Sequence, residues 1–327
     1  MAEHVLVLVT AIEAGGPLRD ADGEALGAAQ ALARERGCEV ACALIGADVA
    51  AAATEAAERG AGLILTADAA GLAAFDGGRS VTIAAEAVGR AEARVVLIPR
   101  GPDVLELAPR LAARLDGASV VGATEVRTAS DDVVAVAAVF GGAARAEYAF
   151  RAPGPHVIGL APAVAEVPER RPGRSAPAVA LAIPEADGRV RTIEAAPDAT
   201  GPRLEDAKLV VAGGRGLQDG ENFALIRELA QALGGMPGAS RAIVDDGWAS
   251  FEQQVGLTGK IVTPDVYFAV GISGASQHMA GCANARCIVA VNTDPEAPIF
   301  TFADYGIVDD ALDVLPALVR LARERGA

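Results

Sequence analysis

What most limits how this chain can fold is its alternation of short apolar runs with segments of helical spacing. Val5–Val9, Val40–Ile45, Gly62–Thr66, Val95–Ile98 and Ala118–Val121 read as strands with little polar alternation, as expected where both faces are buried. Between them Gly23–Arg36, Asp48–Glu58, Val81–Ala93 and Asp103–Leu115 carry apolar residues three and four apart. Gly37 ends the first of these helices, Asp48 is an N-cap candidate for the second, and Pro109 predicts a kink or a late start in the last. Strands that alternate with helices need crossover connections, and crossovers build a mostly parallel sheet. After residue 125 the rhythm changes. Asp132–Phe140 and Ala144–Phe150 bracket Gly141-Gly142, a hairpin signal, and His156–Leu160 is a third extended run. All three are expected as antiparallel additions.

Pro162–Pro177 is periodic in nothing and reads as a surface connection. Arg189–Glu194 is one last strand candidate, and the segment 196–205 has linker composition. The expected organisation is therefore two α/β domains, 1–196 and 197–327, each a mostly parallel sheet flanked by helices. In the second, Lys208–Ala212 leads into Gly213-Gly214-Arg215-Gly216 and then a helix to Leu233. Ile261–Val262, Val266–Val270 and Cys287–Val291 are further strands, and Asp309–Glu324 is a closing amphipathic helix limited by Pro316. The strand tips open into Gly256-Leu257-Thr258-Gly259, Gly271-Ile272-Ser273-Gly274 and Asn292-Thr293-Asp294-Pro295. Loops at the carboxyl ends of parallel strands are where α/β proteins place ligands. Hydroxyls, amides, an Arg and a His with few carboxylates suit a polar cofactor better than a metal or a sugar.

Net charge is −15, without a basic stripe, which argues against nucleic acid as a partner. No apolar run reaches the ~18–20 residues of a membrane span. The first residues enter a strand directly and read as no secretory signal, so the bacterial cytoplasm is the expected compartment. The four cysteines, Cys38, Cys42, Cys282 and Cys287, fit no zinc spacing and are expected as free thiols. Cys38 and Cys42 should share one face. Gly271–Ala275 nearly matches the G-x-S-x-G elbow of hydrolases, but Ala275 replaces the second glycine and His278 follows too soon. GGRGLQD lacks the third glycine of a nicotinamide-dinucleotide fingerprint. Trp248, the only tryptophan, reads as a loop anchor.

Five segments in one order carry more than any of these alone. They are GGRGL…GENF (213–223), GASRAIVDDGW (238–248), QQVGLTGKIVTPDVYFAVGISGASQHMAG (253–281), IVAVNTDPEAPIF (288–300) and ADYGIV (303–308). Together they closely resemble the alpha subunit of electron transfer flavoproteins, and LAPRLAARL (107–115) extends the likeness into the first domain. The resemblance implies a Rossmann-like C-terminal domain holding non-covalent FAD, and a partner beta subunit that carries AMP or a second FAD. It implies that Arg215, Ser240 and Arg241 contact the cofactor, and that Gln254, Leu257 and Thr258 lie beside the ring. Ser273, Ala275, Gln277 and His278 would line the site, His278 at the pyrimidine edge, while Asn292 and Asp310 would hold the adenosine end. Arg241, His278 and Thr258 would tune the flavin, the first two by stabilising negative charge on it.

The implied role is a redox carrier rather than an enzyme with its own substrate. It would take electrons from acyl-CoA-type flavin dehydrogenases of fatty acid β-oxidation and pass them to a quinone oxidoreductase. The alternative is the alpha subunit of an electron-bifurcating, NADH-oxidising flavoprotein; a nicotinamide-dependent dehydrogenase is a weaker third. Leu257 stands where the family pattern GQTGK has Gln, so one amide contact is missing. Leu105 replaces an Arg of the first-domain pattern, and 157–167 lacks the family's RPGAF-like run.

Overall fold

The computed structural model describes residues 4–129, 132–140, 144–186 and 203–325. Two compact units are present, Met1–Ala138 with Arg145–Ala195, and Val139–Ala144 with Ala196–Ala327. The expected boundary at 196, the strand at 189–194, most of the 196–205 linker and the Gly141-Gly142 turn lie outside the described residues.

The first unit begins with β1 (His4–Ile12), α1 (Asp20–Arg36), β2 (Glu39–Gly46), α2 (Ala50–Glu58) and β3 (Leu63–Asp68). It continues with α3 (Gly77–Ala91), β4 (Val95–Ile98), α4 (Val104–Arg114), β5 (Ala118–Ala129) and β6 (Asp132–Val139). β7 (Ala144–Ala149), β8 (His156–Leu160) and β9 (Ala178–Ala180) complete a nine-stranded sheet in the order β7-β6-β5-β8-β4-β1-β2-β3-β9. Apolar clusters cover the sheet: one gathers β1, β2, α1 and α2 side chains, the other Leu6, Leu8 and the inner faces of α3 and α4. Cys42 is buried in the first cluster with Cys38 packed against it, so the two thiols do share a face, and all four cysteines are free.

Four expectations for this unit are corrected. His156–Leu160 is not an antiparallel addition: β8 lies between β4 and β5, parallel to both. All five of its residues are buried, as a run without alternation requires of an interior strand. β5 runs well past Val121, because Gly122 at φ 80 absorbs a register shift and lets the strand change neighbours. Its first half pairs parallel with β8 and its second half antiparallel with β6. Pro109 sits inside α4, which starts at Val104 rather than late.

The fourth correction concerns Asp48, which does not cap α2. Its φ is 46, and the turn before the helix is held by Asp68 at the end of β3, whose carboxylate accepts from the amides of Asp48 at 2.7 Å and Val49 at 3.3 Å. Asp68→Ala should therefore cost about 1 kcal/mol, the net worth of a hydrogen bond, as read from a urea midpoint. Asp48→Ala should lack that loss, because only its backbone amide takes part.

The aperiodic stretch after β8 is held down at named points. Glu58 takes two bonds from the Arg170 guanidinium at 2.6 and 2.8 Å and one from the Gly173 amide, and the Arg170 contact is the main reason its carboxyl titrates low. At Gly27 a Cβ would meet the Glu166 carbonyl at 2.2 Å, so α1 accepts this segment only because that position has no side chain.

The second unit comprises β10 (Leu209–Gly213), α5 (Phe223–Ala232), β11 (Met236–Ser240), α6 (Arg241–Asp245) and β12 (Gln254–Val255). β13 (Val266–Val270), α7 (Ser276–Met279), β14 (Ile288–Asn292), β15 (Tyr305–Val308) and α8 (Ala311–Arg325) follow. The six strands are parallel in the order β12-β11-β10-β13-β14-β15. Ile261–Val262 forms no strand, since Pro264 lacks a ladder donor and restrains the residue before it; the Val262 amide bonds instead to the Gly281 carbonyl. Phe223, Ile226 and Leu229 of α5 and Leu315 and Val319 of α8 bury one face of this sheet. Trp248 packs on that cluster, over Gly220, which makes it a loop anchor.

Candidate functional site

Strand order in the second sheet reverses at β10 and β13, and the loops leaving these two strands meet at this switch point, where open parallel sheets place ligands. Their backbones are in direct contact. The amides of Gly214 and Gly216 donate to the carbonyls of Val270 and Gly271 at 2.9 and 3.0 Å. A Cβ on Gly214 would lie 2.4 Å from the Gly271 carbonyl oxygen, and one on Gly271, at φ 62, would lie 2.7 Å from Gly216 Cα. Neither loop tolerates a side chain there. Beside this contact is a crevice of about 130 Å³ lined by Gly216, Gln218, Gly271, Asn292, Thr293 and Asp309, among others. A larger hollow of about 460 Å³ in the first unit mixes Arg34, Arg59, Arg171 and Arg174 with Glu39 and Glu58, and holds none of the expected residues.

Because all six strands are parallel, the expected residues emerge at one end of this sheet. Arg215 follows β10, Ser240 and Arg241 join β11 to α6, Leu257 and Thr258 follow β12, Ser273 to His278 follow β13, and Asn292 ends β14. Asp310 follows β15. Ser273, Ala275, Gln277, Leu257 and Thr258 are exposed. The 256–260 loop rests on α7: the Leu257 amide donates to the Gln277 carbonyl at 2.7 Å, and a Cβ on Gly281 would meet the Gly256 amide at 2.3 Å. Buried Gln254 donates to the Thr258 hydroxyl at 3.1 Å and orients it.

The two arginines are exposed and engaged with neighbouring carboxylates. Arg241 Nε is 3.2 Å from Asp245 and Arg215 Nε is 3.1 Å from Asp246. Exposed pairs of this kind hold weakly, so both guanidinia remain open to a stronger anion. Asn292 donates one amide N–H to the Ile272 carbonyl at 2.9 Å and accepts from the Asp294 amide, contacts that shape the loop. Asp310 caps the start of α8 through the Leu312 amide and accepts from Gln218 at 3.0 Å.

His278, unlike the exposed residues around it, lies inside the unit. It is buried, its Nε2 lies 2.9 Å from the Tyr267 hydroxyl, and its Nδ1 has no hydrogen-bond partner among the described residues. Burial pushes its pKa down to about 4, with the Val255 backbone opposing only in part. The ring is therefore neutral at neutral pH in the chain without a ligand. What it offers a ligand in that state is an N–H dipole. Tyr267, which sequence reasoning missed, could have been suspected from a hydroxyl inside the buried run VYFAV, because such a hydroxyl needs a partner. Gln218, Thr293 and Asp309 carried no comparable signal. Among the described residues no group of three His, Cys, Asp or Glu could hold a metal ion, and no helix is long and apolar enough to cross a membrane.

A parallel sheet of this order, with side-chain-free loops at its switch point, defines an α/β protein of the nucleotide-binding class. A family profile described as "Electron transfer flavoprotein domain" matches residues 7–186, and one described as "Electron transfer flavoprotein FAD-binding domain" matches 203–283. The electron transfer flavoprotein subunit alpha of Thermoanaerobacterium thermosaccharolyticum is 35% identical over 327 residues, covering 98% of each chain. That of Bacillus subtilis is 35% identical over 304 residues, 93% of each chain. Protein FixB of Azotobacter vinelandii is 50% identical over 149 residues, 45% of this chain and 41% of its own. The chain belongs to the electron transfer flavoprotein alpha-subunit family, FixB-like proteins included, and its C-terminal unit carries the family's flavin-binding domain.

Proposed function

We propose that the C-terminal unit binds FAD non-covalently and that the chain, paired with an AMP-carrying beta subunit, relays electrons from acyl-CoA-type flavin dehydrogenases to a quinone oxidoreductase. The observation that carries this is the convergence of the loops after β10 to β15 on a switch point whose glycines let two of those loops pack backbone to backbone. Three further features fit the cofactor: exposed amides and hydroxyls from 257 to 277, two arginines in weak pairs, and a buried ring nitrogen without a partner. When bound, FAD supplies the one- and two-electron redox chemistry.

The chain's own residues position and polarise. Arg241 offers a permanent charge and a planar fork, which an exposed Asp245 holds only loosely. Thr258, oriented by Gln254, presents a hydroxyl beside the exposed Leu257. With a Leu at 257 the contact there is apolar, and hydrogen bonding falls to the backbone. Asn292 and Asp310 hold the β14 and β15 loops in shape, and the neighbouring Gly216, Gln218 and Thr293 line the crevice for the adenosine end.

Arg241→Ala should weaken FAD retention about tenfold or more, the worth of a charge-assisted hydrogen bond. It should leave thermal stability within ~0.5 kcal/mol, because the residue is exposed. Unchanged retention, measured by equilibrium dialysis of the heterodimer, would remove Arg241 from the site. Acid extraction of the purified heterodimer tests the larger reading. One FAD with one AMP supports the carrier, two FAD without AMP the bifurcating flavoprotein, and no FAD refutes both.

A further inference from the structure

We propose that Tyr267 is a positioning residue that sets the tautomer of His278, keeping the ring proton on Nδ1 so that a bound cofactor meets a neutral N–H donor. The inference rests on reading this unit as an FAD site.

Tyr267 is fully buried in β13 within the apolar cluster that also holds Met279 and Cys282. Its hydroxyl reaches His278 Nε2 at 2.9 Å, the one side-chain hydrogen bond this ring makes. A phenol O–H is a stronger donor than a neutral imidazole N–H, and a bare imidazole nitrogen is the stronger acceptor, so the proton of this contact belongs to the oxygen. The competing acceptor is Cys282, whose thiol itself points to the His278 carbonyl with a sulfur–oxygen distance of 3.6 Å. Thiol sulfur accepts weakly, so it does not draw the phenol away from nitrogen.

Once Nε2 accepts, a neutral ring must carry its proton on Nδ1. That atom is buried and makes no well-formed hydrogen bond; the Val255 backbone acts on it only weakly. Buried N–H groups are nearly always paired, so one with so weak a partner beside a ligand-binding loop points to a better acceptor that arrives with the ligand. The pyrimidine edge of a flavin presents carbonyl oxygens. The opposite tautomer would set a ring lone pair against such an oxygen. The groups acting on the ring are Tyr267 and the Val255 backbone, with the Cys282 thiol on the His278 carbonyl. Burial keeps Tyr267 and Cys282 protonated, the thiol pushed up to about 12, so none brings a charge.

The test is ring-nitrogen NMR on the full chain labelled with ¹⁵N-histidine and assembled with unlabelled beta subunit, with and without added FAD. The chain has only three histidines, and loss of one signal set in His278→Gln assigns the ring. The expected result is a proton on Nδ1 and a bare Nε2 in the wild type, with the Nδ1 signal shifting when FAD is added. Tyr267→Phe should lose that preference, and FAD retention should fall about tenfold, the loss of one hydrogen bond. A wild-type ring protonated on Nε2 overturns the proposal, and so does a Tyr267→Phe ring that keeps its proton on Nδ1. Should Tyr267→Phe not fold, the wild-type spectrum decides alone. Failure of the wild-type complex to bind FAD would overturn the FAD reading instead, and the ring spectrum would still decide the role of Tyr267.

Discussion

Gly271→Val should unfold the C-terminal unit well below the temperature at which the wild-type unit unfolds, and leave the purified complex without flavin. At φ 62 a β-branched residue is held in the left-handed region, which costs about 1–3 kcal/mol. The added Cβ would also lie 2.7 Å from Gly216 Cα and 2.9 Å from its carbonyl carbon. Both are backbone atoms, so no rotamer change relieves the clash, and overpacking adds another ~1–3 kcal/mol. Together these are on the order of 4 kcal/mol, or about 15 °C in Tm for a unit of this size. Gly37 is the control. It too has a positive φ, 66, at the end of α1, but nothing lies within 4 Å of an added Cβ. Gly37→Ala should cost only about 1–2 kcal/mol, with flavin content unchanged. Equal losses at the two sites would show that strain, not loop contact, decides, and would remove the Gly216–Gly271 contact from the account.

Acid should destabilise the same unit through His278. In the unfolded chain its imidazole takes up a proton near the ordinary value of 6.5, in the folded unit only near 4. Between those values unfolding binds a proton, so falling pH favours the unfolded chain. The stabilisation is whole above about 6.5 and is lost progressively as pH falls toward 4. The full loss is about 3 kcal/mol. His156, also buried and with its pKa lowered mainly by burial, adds a loss of the same sign in the first unit. The measurement is therefore a difference: urea midpoints at pH 7 and pH 4 for wild type and for His278→Gln. The wild type should lose up to about 3 kcal/mol more than the variant. Equal acid losses would mean that His278 is charged or solvated in the folded protein.

Much of this fold was legible from local pattern. Val95–Ile98 and Val266–Val270 coincide with β4 and β13 because a continuous apolar run bounded by breakers has one reading. What the pattern could not show was partnership. Nothing in His156–Leu160 tells whether its neighbours run parallel or antiparallel, since both kinds of interior strand read as apolar runs; only β4 and β5 on either side decide it. The strand expected to stop at Val121 runs on, because Gly122 bends it. Asp48 had the right residue type for a cap, but its backbone is held in a turn by Asp68, twenty residues on.

The site was legible as a set of loops, since parallel strands bring their carboxyl ends together whatever their order. The roles of individual side chains were less so. Charge on His278 depended on burial, and burial depended on Tyr267 and the cluster around it. Asn292 and Asp310 were expected at the cofactor and are tied first to their own loops, which a one-dimensional reading cannot distinguish from ligand contact.

The central claim is that the loops at the carboxyl end of the second sheet hold FAD. Hydrogen–deuterium exchange of the full heterodimer, stripped of flavin and then reloaded with FAD, tests it most directly. The account predicts slowed exchange in peptides covering 213–218, 238–242, 254–260, 271–278 and 292–294, with the first unit little changed. Protection confined to residues 4–186, or none in the C-terminal loops despite bound FAD, would contradict it.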